Sequence, residues 1–335
     1  VSFLASLAKQ RGVNFELILC DGGSVDGSFA VLSEKLRAFP FACRVVHSGP
    51  GRGRQLNAGA AAGRAPYLLF LHADSIFGDS YALFQGYSAL KNAHELAGHT
   101  SIAGHFALVF HGHSAANSWV YHHSAAKARL HRPYCVHGDQ GFMLARSFLE
   151  ALGGFDESLP FLEDVRLAKK VLSRGRWLLL PALLATSARR FESEGYARRQ
   201  TLNALILACE DAGFGDWLSD LPEIYREQAA CGRMRTGPFF RAIARKVRGL
   251  KRSERLKLWG RVGAFVCENA WQLGLMLDTA RHYRRRLAPG QGKLTMLGVF
   301  DRYVAPGARL PLCRYPAALL AWLWFRWRLL TGRWR

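Results

Sequence analysis

Several absences narrow what this chain can be. Its 335 residues hold seven cysteines, all isolated (Cys20, Cys43, Cys135, Cys209, Cys231, Cys267 and Cys313), and no C-x-x-C pair. An odd, dispersed set argues for free thiols in a reducing compartment and against a disulfide framework. Nine of the twelve histidines lie between His94 and His137, yet neither H-E-x-x-H nor a Cys/His framework accompanies them, so a zinc site has no sequence support beyond local density. Residues 1–12 have the spacing of an amphipathic helix rather than of a secretion signal. The apolar run within the tail "YPAALLAWLWFRWRLLTGRWR" is shorter and more interrupted than the ~20 residues a membrane span needs. Acidic residues are scarce in the last third. Residues 1–230 carry 23 Lys+Arg against 21 Asp+Glu, whereas residues 231–335 carry 23 against 4. A near-neutral front and a strongly cationic back predict a boundary near Cys231–Gly232.

The front is built from short apolar runs that alternate with helical spacing. "FELILC" (15–20), "CRVVH" (43–47) and "YLLFL" (67–71) read as strands, with helices over 28–38 and from Gln55 to Gly63 between them. Continuous apolar strands alternating with helices indicate β-α-β units and a mostly parallel, doubly wound α/β sheet. Asp21, the glycine loop 49–53 and Asp74 each follow a strand directly, which places them on the sheet edge where such folds bind ligands.

Each motif carries a plain reading beside a chemical one. "DGGSVDGS" serves as a strand-to-helix turn with Ser28 as N-cap, or as a ligand contact in which Gly22 and Gly23 let backbone amides approach while Asp21 accepts hydrogen bonds from a base or ribose. "GPGRGRQLNAGAAAG" fails the G-x-G-x-x-G register and lacks the Lys-Ser/Thr of a Walker loop. It leaves a solvated glycine loop, or a phosphate site made from Arg52, Arg54 and a helix N-terminus. Asp74, after "LLFLHA", is a turn residue or the carboxylate that with a diphosphate holds Mg²⁺ or Mn²⁺. His72 is structural or supports that site. Glu163–Asp164 opens a helix, where acids favour the helix dipole or supply a general base. Arg189 and Arg190 in "SARRFE" suit phosphate or surface ion pairs.

The ordered succession DGGSVDGS, GRGRQLNAGAAAG, LLFLHADS, GDQGFM, GGFDE, LEDVRLAKK and SARRFE resembles the family 2 glycosyltransferases over about residues 3–228. It is most similar to the small bacterial subgroup found beside radical-SAM and selenium- or arsenosugar-related genes. The resemblance implies a GT-A fold, a nucleotide-diphosphate sugar donor, a divalent metal and inversion at the anomeric carbon. It assigns Asp21, with Gly22 and Gly23, to the nucleoside, and Arg52, Arg54, Gln55 and Asn57 to the nucleotide pocket. Asp74 matches the last acid of the D-x-D metal motif, whose first acid is replaced here by His72. Asp164 matches the catalytic base, with Glu163 beside it, and Gly138–Asp139–Gln140 falls at the sugar and acceptor site. Arg189 and Arg190 match an arginine pair suited to the diphosphate or acceptor. Relatives open with a strand of the type "IPVLNE", whereas this chain starts after it and without methionine, so the expectation is an N-terminally truncated GT-A domain over 1–230 followed by a basic helical region over 231–335.

In that second region, residues 238–286 have helical spacing with an apolar stripe through Val262, Phe265, Val266, Trp271 and Leu275. The tail interleaves tryptophan with arginine, which suits an anionic membrane surface, while a helical extension packed on the catalytic part is the alternative. Nucleic acid is not expected, since no binding motif is present. The setting expected is cytoplasmic, with peripheral attachment to the inner face of the membrane as an option. Two other functions stay open: a sugar-phosphate nucleotidyltransferase, and a non-catalytic nucleotide-binding or membrane-associated protein.

Overall fold

The apolar runs fold into β1 (Glu16–Asp21), β2 (Ala42–His47) and β3 (Tyr67–Phe70) in a computed structural model. The structure describes residues 2–332 apart from 26, 28–31, 33–35, 37, 159–160, 229–231 and 309. The helix expected over 28–38 and its Ser28 cap fall largely outside the described residues, as does Cys231. Four more strands follow: β4 (Ile76–Phe77), β5 (Ile102–His111), β6 (Phe142–Ala145) and β7 (Arg176–Ser187).

β1 and β2 pair in parallel as a two-stranded sheet, and the other five are ordered β3-β6-β5-β7-β4. In the larger sheet β5 and β7 are parallel, while β3–β6, β5–β6 and β4–β7 are antiparallel. The α/β class and the helical C-terminal region agree with the sequence reading. The sheet is more mixed in direction than β-α-β alternation suggests, because hydrophobic periodicity reports burial and carries no information on strand direction.

β5 is buried along most of its length, as a strand covered on both faces must be. On one face Phe106, Leu180 and Leu184 pack with Leu83 and Leu90 of the Ala82–Ala97 helix. On the other, Phe142, Leu144 and Trp177 pack with Phe148 and with Val171 of the Glu163–Arg174 helix. These two apolar layers hold the strand ends that carry the polar motifs.

The chain forms two compact units, residues 1–112 with 124–187, and residues 113–123 with 188–335. The composition change near 231 lies inside the second unit. Charge records what a segment shows to solvent, whereas packing records what it buries, and here the two change at different places. The second unit is helical, with long helices at Tyr196–Asp211, Gly237–Gly249, Arg252–Asn269, Trp271–Arg284 and Arg314–Thr331. The last of these lies along Arg252–Asn269, with Phe325 5.3 Å from the Phe240 ring and 5.6 Å from that of Trp259. Among the described residues, no helix is long and apolar enough to cross a membrane.

Candidate functional site

Strand pairing assembles the site. β3 and β6 are antiparallel with Phe70 opposite Phe142, so the residues that follow β3 lie beside those that precede β6. "HADS" (72–75) is thereby brought to "HGDQG" (137–141). Asp74 stands in a tight turn closed by Ser75 N–H donating to the His72 carbonyl at 3.1 Å, and its side chain is exposed. Gly141 has φ +67°, and a Cβ there would come within 2.9 Å of Leu71. Glycine thus permits both the backbone turn and the close approach of the two segments.

Asp164 joins this junction from the N-terminus of the Glu163–Arg174 helix. Its Oδ2 accepts the Gly138 N–H at 2.8 Å and its Oδ1 accepts the Val165 N–H at 2.7 Å. A Cβ on Gly138 would lie 3.1 Å from His72 Nε2 and 3.3 Å from Asp164 Oδ2, so His72, Gly138 and Asp164 meet at one point. Asp139 is at the centre. Burial raises its carboxyl pKa, Asp164 and Asp74 raise it further, and His137 and His72 oppose the rise. Its Oδ1 is buried without a hydrogen-bond partner. Gln140 turns inward instead: it is 1% exposed, and its Nε2 donates to the Cys135 carbonyl at 2.8 Å.

Glu163 is 2% exposed, with one carboxylate oxygen unpartnered. Burial, then the charge of Asp164, pushes its pKa from 4.5 to about 7, and Arg52 acts against that rise. The Arg52 guanidinium is 3.9 Å away and half exposed. Arg52 and Arg54 both belong to the first turn of the Arg52–Ala62 helix, and Arg54 is 3.8 Å from Glu157. The two cations are therefore loosely paired and can turn toward a phosphate.

The other two polar residues of that helix act as braces. Gln55 Nε2 donates to the Cys20 carbonyl at 3.1 Å, tying the helix to the end of β1. Asn57 Nδ2 donates to the Phe155 carbonyl at 2.9 Å and to Glu157 at 2.7 Å, while its Oδ1 accepts the Phe155 N–H at 2.9 Å. At the end of β1, Asp21 accepts the N–H groups of Gly23 and Ser24 and the Ser24 hydroxyl, which together with His47 hold its pKa below the usual carboxylate range. The contacts thus run from Arg52 through Glu163 to Asp164, Gly138, Asp139 and Asp74, while Asp21 lies at the end of the strand that Gln55 braces.

Arg189 and Arg190 belong to the second compact unit. Both are exposed at the start of the Arg189–Glu194 helix, where Arg190 is 3.9 Å from Glu194. Sequence reasoning overlooked His137 and Glu157. His137 directly precedes "GDQ", and that position was the available signal. Glu157 acts through Arg54 and Asn57, about a hundred residues earlier in the chain, and its place at the end of "GGFDE" was the available signal.

Among the described residues no group of three or more His, Cys, Asp or Glu is arranged to hold a metal ion. One or two carboxylates with diphosphate oxygens and water make an ordinary Mg²⁺ or Mn²⁺ site. Asp74 and the unpartnered Oδ1 of Asp139 fit that smaller donor set. Two of the clustered histidines have structural places. His94 bonds the Tyr67 hydroxyl and the Ile102 carbonyl, and His105 lies in the core, where burial and His131 hold its pKa at about 4.

Residues 2–151, the span that contains β1 to β6, match the family model described as Glycosyl transferase family 2. The match includes every site residue from Asp21 to Gln140 and stops before Glu163–Asp164. Among solved structures, the chain is similar to S. aureus TarS (12% identity, 84% of this chain and 52% of that one, TM-score 0.43). It is also similar to TarS 1-349 in complex with UDP (15% identity, 90% and 87%, TM-score 0.43). A third is the mannosyltransferase PcManGT from Pyrobaculum calidifontis in complex with GDP-Man and Mn²⁺ (14% identity, 96% and 82%, TM-score 0.44). The chain spans about half the length of the first of these TarS structures. No curated protein matches the sequence.

Proposed function

We propose that this protein is an inverting glycosyltransferase that moves a sugar from a nucleotide-diphosphate donor to an acceptor hydroxyl. The observation that carries this reading is the junction of Asp164, Gly138, Asp139, His72 and Asp74, reached by contacts from an arginine-bearing helix N-terminus. A general base, a carboxylate suited to a cation and half-exposed arginines are the parts that displacement of a nucleoside diphosphate requires.

In this mechanism Asp164 takes the proton of the acceptor hydroxyl as its oxygen bonds to the anomeric carbon. The bond from that carbon to the diphosphate breaks, and the electron pair leaves with the phosphate oxygen. Gly138 N–H fixes the orientation of Asp164. Burial raises the Glu163 carboxyl to about 7, so below that pH it is mostly protonated and repels the Asp164 carboxylate little before Asp164 takes the proton. Arg52 and Arg54 turn from Glu163 and Glu157 to the diphosphate, and Asp21 with Gly22 and Gly23 receives the nucleoside. Asp74 and Asp139 would hold a divalent cation, which when bound supplies charge neutralisation for the leaving diphosphate. Gly138 and Asp139 border the acceptor, with Gln140 supporting them from the core side. Arg189 and Arg190 are assigned to the diphosphate or acceptor by the family resemblance.

The test is Asp164→Asn, assayed for release of nucleoside diphosphate from a panel of nucleotide sugars with Mn²⁺. Transfer should fall at least a hundredfold, on the order expected for loss of a general base, while donor binding by calorimetry stays within about twofold. Undiminished turnover would remove Asp164 as the base. Release of pyrophosphate from a nucleoside triphosphate and a sugar phosphate would replace the reading with nucleotidyl transfer.

A further inference from the structure

Exposed large apolar side chains concentrate beyond residue 255, in the second compact unit, and the Arg314–Thr331 helix shows why. This helix is apolar on both sides. Its inner side buries Ala318 and Phe325, with Ala318 close against Gly263 of the Arg252–Asn269 helix and Phe325 between Phe240 and Trp259. Arg328, near the same side, donates to Thr236 at 2.9 Å and lies over the Phe240 ring.

At 100° per residue, Leu319, Leu320, Leu323, Trp327 and Leu330 fall opposite that buried side. All five are between 49% and 66% exposed. Packing against the unit therefore uses one face of the helix and leaves a second apolar face in water. A contiguous exposed face of this kind marks an interaction site.

Charge selects the occupant. Seven arginines and no acidic residue follow Asp301. Arg326 borders the exposed face, with its guanidinium over the Trp322 ring at 5.8 Å, an arrangement that leaves the cation at the level of the tryptophans. A second copy brought against this face would oppose arginine to arginine, since residues 231–335 carry 23 Lys+Arg against 4 Asp+Glu. An anionic bilayer offers acyl chains to the leucines and headgroup phosphates to the arginines. Trp327 suits the boundary between those two layers.

We infer that the outward face of the Arg314–Thr331 helix is a membrane-docking surface that lies flat in the interface of an anionic bilayer. The helix does not span it. Docking is independent of the glycosyl-transfer reading, because it rests on residues of the second unit alone.

The experiment is co-sedimentation of the full chain with vesicles of phosphatidylcholine, with and without about 30% phosphatidylglycerol, an anionic fraction chosen to bring out the electrostatic attraction. Wild-type protein should bind the anionic vesicles at least tenfold more strongly, and L323S/W327S should lose at least tenfold of that binding while keeping its circular-dichroism spectrum. Quenching of tryptophan emission by brominated acyl chains should fall in W327F, which keeps an apolar ring and guards against a folding defect in the double variant. Equal binding to neutral vesicles would overturn the electrostatic choice of partner. Anionic binding untouched by L323S/W327S would overturn the assigned face. Absence of vesicle binding, with self-association that the same substitutions abolish, would assign the face to a second copy and overturn the proposal.

Discussion

Replacing Glu163 by glutamine keeps the shape of a side chain that is 2% exposed and removes its ability to titrate. In the folded protein burial, and after it the neighbouring Asp164, moves the carboxyl pKa from 4.5 to about 7, with Arg52 pulling the other way. The folded chain then holds a proton that the unfolded chain has already released. Stability from this group is fully present below about pH 4.5 and is lost as pH rises toward 7 and through it. At about 1.4 kcal/mol for each pH unit, that interval sets a ceiling of about 3.5 kcal/mol. Urea unfolding of wild type and Glu163→Gln between pH 5 and 8 measures it. The stability of the wild type relative to the variant should fall by about 2.5 kcal/mol across the range, most of it below pH 7. Asp139, whose carboxyl is also raised, contributes a slope of the same sign to both proteins and largely cancels in the difference. Two parallel curves would refute the reasoning, since they would mean that Glu163 titrates alike in the folded and unfolded chains.

Three further substitutions probe the junction and its braces. Gly138→Ala forces His72 and Asp164 to shift by a few tenths of an ångström, and should lower kcat by about tenfold with little change in donor KM, equivalent to ~1.4 kcal/mol in the barrier. Steady-state kinetics checks this. Asn57→Ala strands the Phe155 N–H and carbonyl and should cost about 2 to 6 kcal/mol of stability in urea unfolding, at about 1–3 kcal/mol for each buried group left unpaired. Asp74→Asn should weaken Mn²⁺-dependent donor binding by about tenfold, on the order of the lower end for altering a metal ligand's environment, and leave metal-free nucleotide binding within about twofold in calorimetry.

Much of the first unit is legible in the sequence, because apolar runs and turn residues are local signals. β1, β2 and β3 fall within a residue or so of the runs that announced them, and the Glu163–Arg174 helix begins at the expected acids. The individual chemistry of Asp21, Arg52, Asp74 and Asp164 could also be stated, since carboxylates and guanidiniums keep their character in any fold. What Gln55 and Asn57 do was less accessible. Read as pocket-lining residues, they bond to backbone at Cys20 and Phe155, and the latter partner is 98 residues away. No local pattern encodes such a partner.

The sequence by itself determined which segments seek burial, which can turn and which carry charge, because those properties belong to side chains and their near neighbours. Only the tertiary structure decided that β6 enters antiparallel between β3 and β5. That pairing sets the residues after Phe70 beside those before Phe142, and so brings Asp74 and His72 to Gly138 and Asp139. It also decided that Glu163 is buried while Asp164 stays partly exposed, which separates two adjacent acids that look equivalent on the page. The reason is the same for both: proximity and desolvation depend on contacts between segments far apart in the chain, and those exist only once the sheet has closed.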